Sequence, residues 1–354
     1  MKKIKKTPYI LFDKKILEQN YEKLEKACKD HLKDFKIAYS VKTNSYPLLL
    51  ETLKNLGSGF EIASLQEIKQ IPQNIQTIIF NSPAKTDKEL KEGIKKNYLI
   101  NIDSESEIHD IAEITKNKRI NAGLRISLKK SKFGFSINKL EETIKLCDSK
   151  NIKITSLNFH SGTKQSLEQY KQNLEQIKNI IEKNSSILKN LKSINLGGGL
   201  PEKAQLKNLN LEIKDYIKTI PQYLDIKRYK IILEIGRYLV ADSFSAISKV
   251  IRIKESFNEN YAILDLGINF LSKITLANYQ FEKISNKENR SRTKKNWTLT
   301  GPLLFNNDIL GKIQTDLKER DLIKIKNIGA YCYNLAWTIS YEKPKIYIKG
   351  INIK

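Results

Sequence analysis

The residue most in need of explanation is a lysine inside an apolar run. Lys42 sits in Tyr39-Ser40-Val41-Lys42-Thr43-Asn44, and an ammonium taken out of water is unfavourable unless it is paired, neutralised or covalently engaged. Three further groups stand just past short apolar runs. They are His160 in Phe159-His160-Ser161-Gly162-Thr163, the triplet Gly197-Gly198-Gly199 before Leu200-Pro201, and Glu234 with Arg237 in Glu234-Ile235-Gly236-Arg237. Successive glycines let backbone N–H groups converge on an anion, and an arginine adds a charge-assisted bond to it. A lysine to form an imine, a phosphate cradle, a carboxylate to keep a ring nitrogen protonated and an imidazole together suit pyridoxal 5′-phosphate (PLP). Singly, each has a plainer account: a tight turn, a core histidine, an ion pair at a rim, a lysine reaching solvent. Their common position at the ends of apolar runs favours a site.

Those positions require a frame. From residue 36 to 236 the chain alternates short apolar runs with amphipathic stretches. The runs are Lys36–Thr43, Ser58–Ala63, Thr77–Pro83, Leu99–Asp103, Ala122–Ser127, Ser156–Gly162, Ser193–Gly199 and Lys230–Gly236. These read as eight buried parallel strands. Helical spacing fills the gaps, as over Tyr46–Leu56, Lys88–Lys95, Ser166–Leu188 and Leu209–Tyr223, and Ser104 with Glu107 reads as a capping box. Eight such units make an α/β fold of the TIM (β/α)8 barrel type, whose chemistry gathers where strands end. The expected barrel spans residues 14–240. Alternation over Ala246–Ile253, Tyr261–Asp265, Trp297–Thr300, Leu322–Asn327 and Lys345–Ile348 reads as a C-terminal β-rich sandwich or barrel domain, residues 241–354, which residues 1–13 rejoin.

The bulk properties exclude other classes. At 354 residues, 40% hydrophobic and 29% charged, the chain reads as an ordinary globular protein. No apolar stretch approaches the roughly 20 residues of a membrane span, and no secretory leader is visible. Cys28, Cys147 and Cys332 are far apart without CxxC spacing, which argues against a disulfide scaffold or a metal site and for a reducing cytoplasm. The net charge of +24 raises nucleic-acid binding. Lysines are, however, interleaved with acids throughout, and the one dense basic run, Lys283–Lys295, has no aromatic residues for stacking. The expectation is a solvated surface, with neither nucleic acid nor membrane as partner.

The motifs resemble the fold-type-III PLP decarboxylases, the diaminopimelate/ornithine decarboxylase superfamily, over nearly the whole chain. They are Tyr39–Asn44, Gly57-Ser-Gly-Phe-Glu61-Ile-Ala-Ser64, Asn81-Ser-Pro-Ala-Lys85, Ser131-Lys-Phe-Gly134, His160–Thr163, Gly197–Gly199, Glu234–Arg237 and Gly329-Ala-Tyr331. The resemblance implies a PLP-dependent amino-acid decarboxylase acting as a homodimer, with active sites at the subunit interface. It implies Lys42 as the Schiff-base lysine, His160 over the pyridine face and Glu234 at the ring nitrogen. Thr163, Gly197, Gly198, Gly199 and Arg237 would hold phosphate, joined by Tyr331 from the partner subunit. Glu61 stands where the family usually has Asp.

The substrate end departs from the family. Its Gly-Pro-x-Cys-Asp/Glu segment carries the cysteine that protonates Cα and an acid that reads the distal amine. Here it is Gly301-Pro302-Leu303-Leu304-Phe305, and neither Leu304 nor Phe305 can donate a proton. Lys273 and Ala277 stand where diaminopimelate-type enzymes have arginine and tyrosine. The expected reaction is decarboxylation of a specialised α-amino acid, such as a siderophore or natural-product intermediate, with Cys332, Tyr333 or water returning the proton. A racemase or other lyase on the same fold, and a non-catalytic PLP-binding homologue, are the alternatives.

Overall fold

The computed structural model describes residues 6–272, 277–284 and 294–350. Lys273 and most of the basic run Lys283–Lys295 lie outside the described residues. The chain divides into two compact units, one of residues 18–238 and one of residues up to 17 with those from 239 onward.

In the first unit the expected runs form a closed parallel sheet. Its strands are β2 (Phe35–Ser40), β3 (Gly59–Ile62), β4 (Ile78–Asn81), β5 (Leu99–Ile102), β6 (Ile120–Ser127), β8 (Ile152–Phe159), β9 (Ser193–Asn195) and β10 (Lys230–Ile235). Strand β1 (Tyr9–Phe12) belongs to the other unit, and β7 (Phe135–Ser136) is a short addition beside β6. The order β5-β4-β3-β2-β10-β9-β8-β6 is closed by pairing of β5 with β6. All eight barrel strands are parallel, so their C-terminal ends meet on one face. The fully buried Tyr39, Phe60, Phe80 and Phe159 are carried on these strands.

Short polar caps hold the helices that follow. Thr86 Oγ1 accepts from Glu89 N–H at 3.4 Å while Glu89 Oε2 accepts from Thr86 N–H at 2.9 Å, a closed capping box. At Ser104 only half of the expected box forms. Its hydroxyl accepts from Glu107 N–H, but the Glu107 carboxylate takes Asp103 N–H instead, because it is drawn inward to Lys85. The helix expected over Leu209–Tyr223 forms only as Ile213–Ile217 and Ile220–Tyr223, and a separate helix, Lys203–Asn208, precedes it. Asn210 adopts a left-handed φ of 52°, and Pro221 starts a new turn rather than continuing an old one.

The second unit is a β-rich sheet of β11 (Phe244–Ser256), β12 (Glu259–Leu264), β13 (Gln280–Ile284), β14 (Lys295–Thr300), β15 (Ile309–Thr315), β16 (Leu322–Lys326) and β17 (Lys345–Ile348), joined by β1. β1 does return to it, antiparallel to β11 and parallel to β17. Strands β13 and β15 were not expected. Both are largely exposed, so neither shows a clean apolar alternation, and Gly311 admits the Phe281 ring where any Cβ would clash. Phe12 and Phe244 are buried and stack with centroids 4.6 Å apart, which ties the N-terminal strand to β11. Phe12→Ala should destabilise this unit by roughly 3–5 kcal/mol, read as a lower urea midpoint.

Candidate active site

Seven strand ends of the barrel contribute to a network around two carboxylates. Glu61, on β3, lies 2.5 Å through Oε2 from Lys42 Nζ, just past β2. Its Oε1 accepts from Asn81 Nδ2, on β4, at 3.3 Å. The same amide donates to Oε1 of Glu234, on β10, at 2.8 Å. Asn195 on β9 and Asn158 on β8 donate to that oxygen too, at 2.7 and 3.2 Å. Asn101, on β5, fixes Asn81 by donating to its Oδ1 at 2.7 Å. Both carboxylates are almost fully buried, whereas the Lys42 side chain keeps 46% of its exposure between buried Val41 and Thr43.

Similar surroundings push the two acids in opposite directions. Burial raises the Glu61 carboxyl, but the Lys42 ammonium and hydrogen bonds from Lys42, Ser40 and Asn81 outweigh it and hold the group below the ordinary range. Among the described residues Glu234 has no cation within ion-pair distance. Burial, together with the charge of Glu61, pushes it up to about 7 despite the amide donors. His160 is open to solvent on one side and enclosed by protein on the others. Loss of hydration, with Lys42 and Arg125 nearby, holds its imidazole below the usual range. Because the open side tempers that loss, the firmer sign is geometric: Gly198 N–H donates to Nδ1 at 3.2 Å, so that nitrogen carries no proton.

The glycine triplet packs against the same groups. A Cβ at Gly198 would fall 2.4 Å from Glu234 O, and one at Gly199 would fall 2.2 Å from Gly162 O. The expected convergence of three N–H groups is only partly met. Gly197 N–H is taken by Asn195 Oδ1 at 2.9 Å and Gly198 N–H by His160, which leaves Gly199 N–H without a protein acceptor. Thr163 is exposed and follows Gly162, whose carbonyl packs against Gly199. Arg237 is buried and reaches Glu202 Oε2 at 3.2 Å, while Lys164 holds the other oxygen at 3.1 Å. A reachable lysine amine, a protonatable buried carboxyl and side-chain-free backbone beside a neutral imidazole fit PLP, and the buried Asn158 Oδ1 still lacks a partner.

Tyr331 and Cys332 belong to the second unit. Tyr331 has a left-handed φ of 71° and opens the short helix Cys332–Leu335. Cys332 is fully buried, its Sγ 3.2 Å from Tyr279 Oη. In the same unit Leu304 is fully exposed, and the Phe305 ring meets that of Trp337 edge-on at 6.1 Å. Asp308 is committed to its own loop, accepting from Ile268 and Leu303 N–H, each at 2.8 Å.

The reading from sequence missed the four asparagines. Their signal was present: Asn81, Asn101, Asn158 and Asn195 each follow an apolar residue near the end of a strand candidate, where a buried amide needs a polar partner. It also passed over Lys85, fully buried against Glu107 Oε1 at 2.7 Å and the carbonyls of Ser82 and Asn101. Among the described residues no helix is long and apolar enough to cross a membrane, and no cluster of metal-ligating side chains occurs.

The raised Glu234 gives a pH signature. An acid that binds its proton more tightly when folded makes stability fall as pH rises from its unfolded value of 4.5 to about 7, with no further loss above. The Glu61 contribution acts below 4.5, where its lowered native value lies, and does not overlap. Glu234 therefore contributes a loss on the order of 1–3 kcal/mol across that interval, opposed by His160, whose lowered value makes stability rise with pH toward 6.5. The Glu234 contribution is the difference between parent and Glu234→Gln in urea melts at successive pH values, the variant losing less stability between pH 4.5 and 7.

The model for the pyridoxal-dependent decarboxylase family, pyridoxal binding domain, matches residues 18–241. The diaminopimelate decarboxylase of Bacteroides thetaiotaomicron is 26% identical, over 92% of this chain and 90% of its own. A solved diaminopimelate decarboxylase from Helicobacter pylori, complexed with L-lysine, superposes with a TM-score of 0.84 at 24% identity, covering 94% of this chain and 89% of that one. Another, from M. jannaschi, reaches 0.88 at 23% identity, covering 97% and 87%. With barrel, lysine and paired carboxylates in place, the chain belongs to the pyridoxal-dependent decarboxylases, amino-acid carboxy-lyases whose cofactor is PLP.

Proposed function

We propose that the chain decarboxylates an α-amino acid whose distal end carries no free amine, with Lys42 as the cofactor-bearing lysine. The observation that carries this reading is the pairing of a reachable lysine with one charged and one protonated carboxyl at the barrel mouth. Bound PLP supplies an electron sink conjugated to Cα, which lets the carboxylate leave as CO2. The chain's own residues do the rest. Lys42 must shed a proton to become a nucleophile, and Glu61 Oε2 at 2.5 Å is placed to accept it. Three amides fix Glu234 Oε1, which orients the carboxyl that would hold the proton of the ring nitrogen. His160, neutral and anchored by Gly198, offers a flat ring surface. Arg237, Thr163 and, within the glycine triplet, the Gly199 N–H would receive phosphate, with Glu202 orienting the guanidinium.

The substrate end supports a specialised acid, such as a siderophore or natural-product intermediate. Phe305 stands where the family's acid reads an amine and Leu304 where its cysteine returns the proton, and Leu335, Trp337, Ile339 and Tyr341 add exposed apolar surface in the same unit. We assign that surface to contact with a second copy, which would bring Tyr331 to the phosphate, in a homodimer of the cytoplasm. The burial of Cys332 leaves Tyr333 or water as the better-placed proton donor to Cα. Loss of the family cysteine also favours a second outcome, in which some turnovers end in a carbonyl product instead of an amine.

Mass spectrometry of the loaded enzyme with a panel of amino acids tests the reading. Expected are CO2 and the matching amine from an uncharged-tail or conjugated substrate, with lysine and diaminopimelate poor. No CO2 from any substrate contradicts it. Glu234→Gln should lower turnover by about 100-fold or more, and Lys42→Ala should abolish it. Cys332→Ala should leave the product unchanged.

A further inference from the structure

Parallel strands that end together also begin together, and the beginnings of this barrel concentrate positive charge that the site does not use. Around the closed sheet, the adjacent strands β6, β8, β9 and β10 carry Arg119, Lys153, Lys192 and Lys230, each within one residue of the strand's start. Neighbouring strands lie about 4.8 Å apart, so these cations form an arc. Two concavities open along it. One, of about 430 Å³, is lined by Arg119, Lys153 and Lys192 beside Asn97, Tyr98 and Asn121, with no acid. The other, of about 590 Å³, takes Lys33, Lys192, Lys227, Arg228 and Lys230, with Asp34 as its only acid. Asp34 lies 3.2 Å from Lys230. Among the described residues, none of the other cations lining the two concavities has a carboxylate within ion-pair distance. Crowding is felt nearby: burial and the charge of Lys230 together lower the Lys36 ammonium.

An exposed cation meeting a single anionic charge gains little. The Debye length of about 8 Å at physiological salt spans neighbouring members of the arc, so a chain of anions engages several at once. A single-stranded nucleic acid would also want aromatic platforms for its bases. Tyr229 is buried with the Arg228 guanidinium 5.0 Å from its ring, which leaves only Tyr98. A bilayer would want a convex face with apolar anchors, whereas this charge is recessed. We propose that the strand-start face of the barrel binds a flexible polyphosphate chain along the Arg119–Lys153–Lys192–Lys230 arc, with Lys192 at the junction of the two concavities.

The test uses the PLP-loaded protein in fluorescence anisotropy with labelled long-chain inorganic polyphosphate, and with poly(dT) and phosphatidylglycerol vesicles as competitors. Saturable binding that weakens with salt is expected. Lys192→Glu and Arg119→Glu should each weaken it on the order of tenfold, while Lys91→Glu, an exposed control on the helix Asp87–Lys95, should hardly change it. The cofactor absorbance of all three variants should match the parent, which confirms folding. Absence of saturable binding at low salt overturns the proposal. So does an equal loss in the control, which would mean diffuse charge. Preferential binding of poly(dT) or vesicles overturns it in favour of those partners.

Discussion

The site depends on burying two carboxylates a few ångströms apart without letting both ionise freely. Glu61 and Glu234 share the amide of Asn81, and only Glu61 has a cation in contact. A buried charge without a partner costs several kcal/mol. The Lys42 ammonium therefore fixes which acid ionises, and the other keeps its proton to about pH 7. One ion pair thus sets two protonation states, and it also presents the lysine amine at the mouth of the barrel.

The fold supplies the rest of that constraint. A closed parallel sheet brings its strand ends to one rim, so seven short segments of the sequence can each offer one side chain. The asparagines on β4, β8 and β9 each donate to Glu234 Oε1, and the one on β5 fixes Asn81, so the acid is held without added charge. Gly123 is part of the same design, since a Cβ there would strike the Asn101 amide. At the opposite face the same parallel order gathers strand-start cations, so one topology produces both a catalytic rim and a charged floor.

Much of this was legible beforehand. All eight barrel strands appeared as apolar runs because parallel strands bury both faces, and Lys42, His160 and Glu234 stood out because polar groups end those runs. The exposed strands β13 and β15 did not, since a strand that buries little carries no period. The break before Ile213 was missed because Ile213, Tyr216 and Ile217 bury at helical spacing, which says nothing of the left-handed Asn210 just upstream. The N–H groups of Gly197 and Gly198 looked available for an anion. Gly197 is capped locally by Asn195 Oδ1 two residues back, whereas the partner of Gly198, His160 Nδ1, is brought in by another strand and cannot be read from local sequence.

The most direct measurement is borohydride reduction of the PLP-loaded protein, followed by peptide mass mapping of the modified lysine. The chain holds two lysines in apolar surroundings at the strand ends, and only Lys42 is reachable, because Lys85 is sealed against Glu107 and two carbonyls. The account predicts a single adduct on Lys42, lost in Lys42→Ala. An adduct on Lys85, or none on Lys42 in protein that shows the cofactor's absorbance, would contradict it.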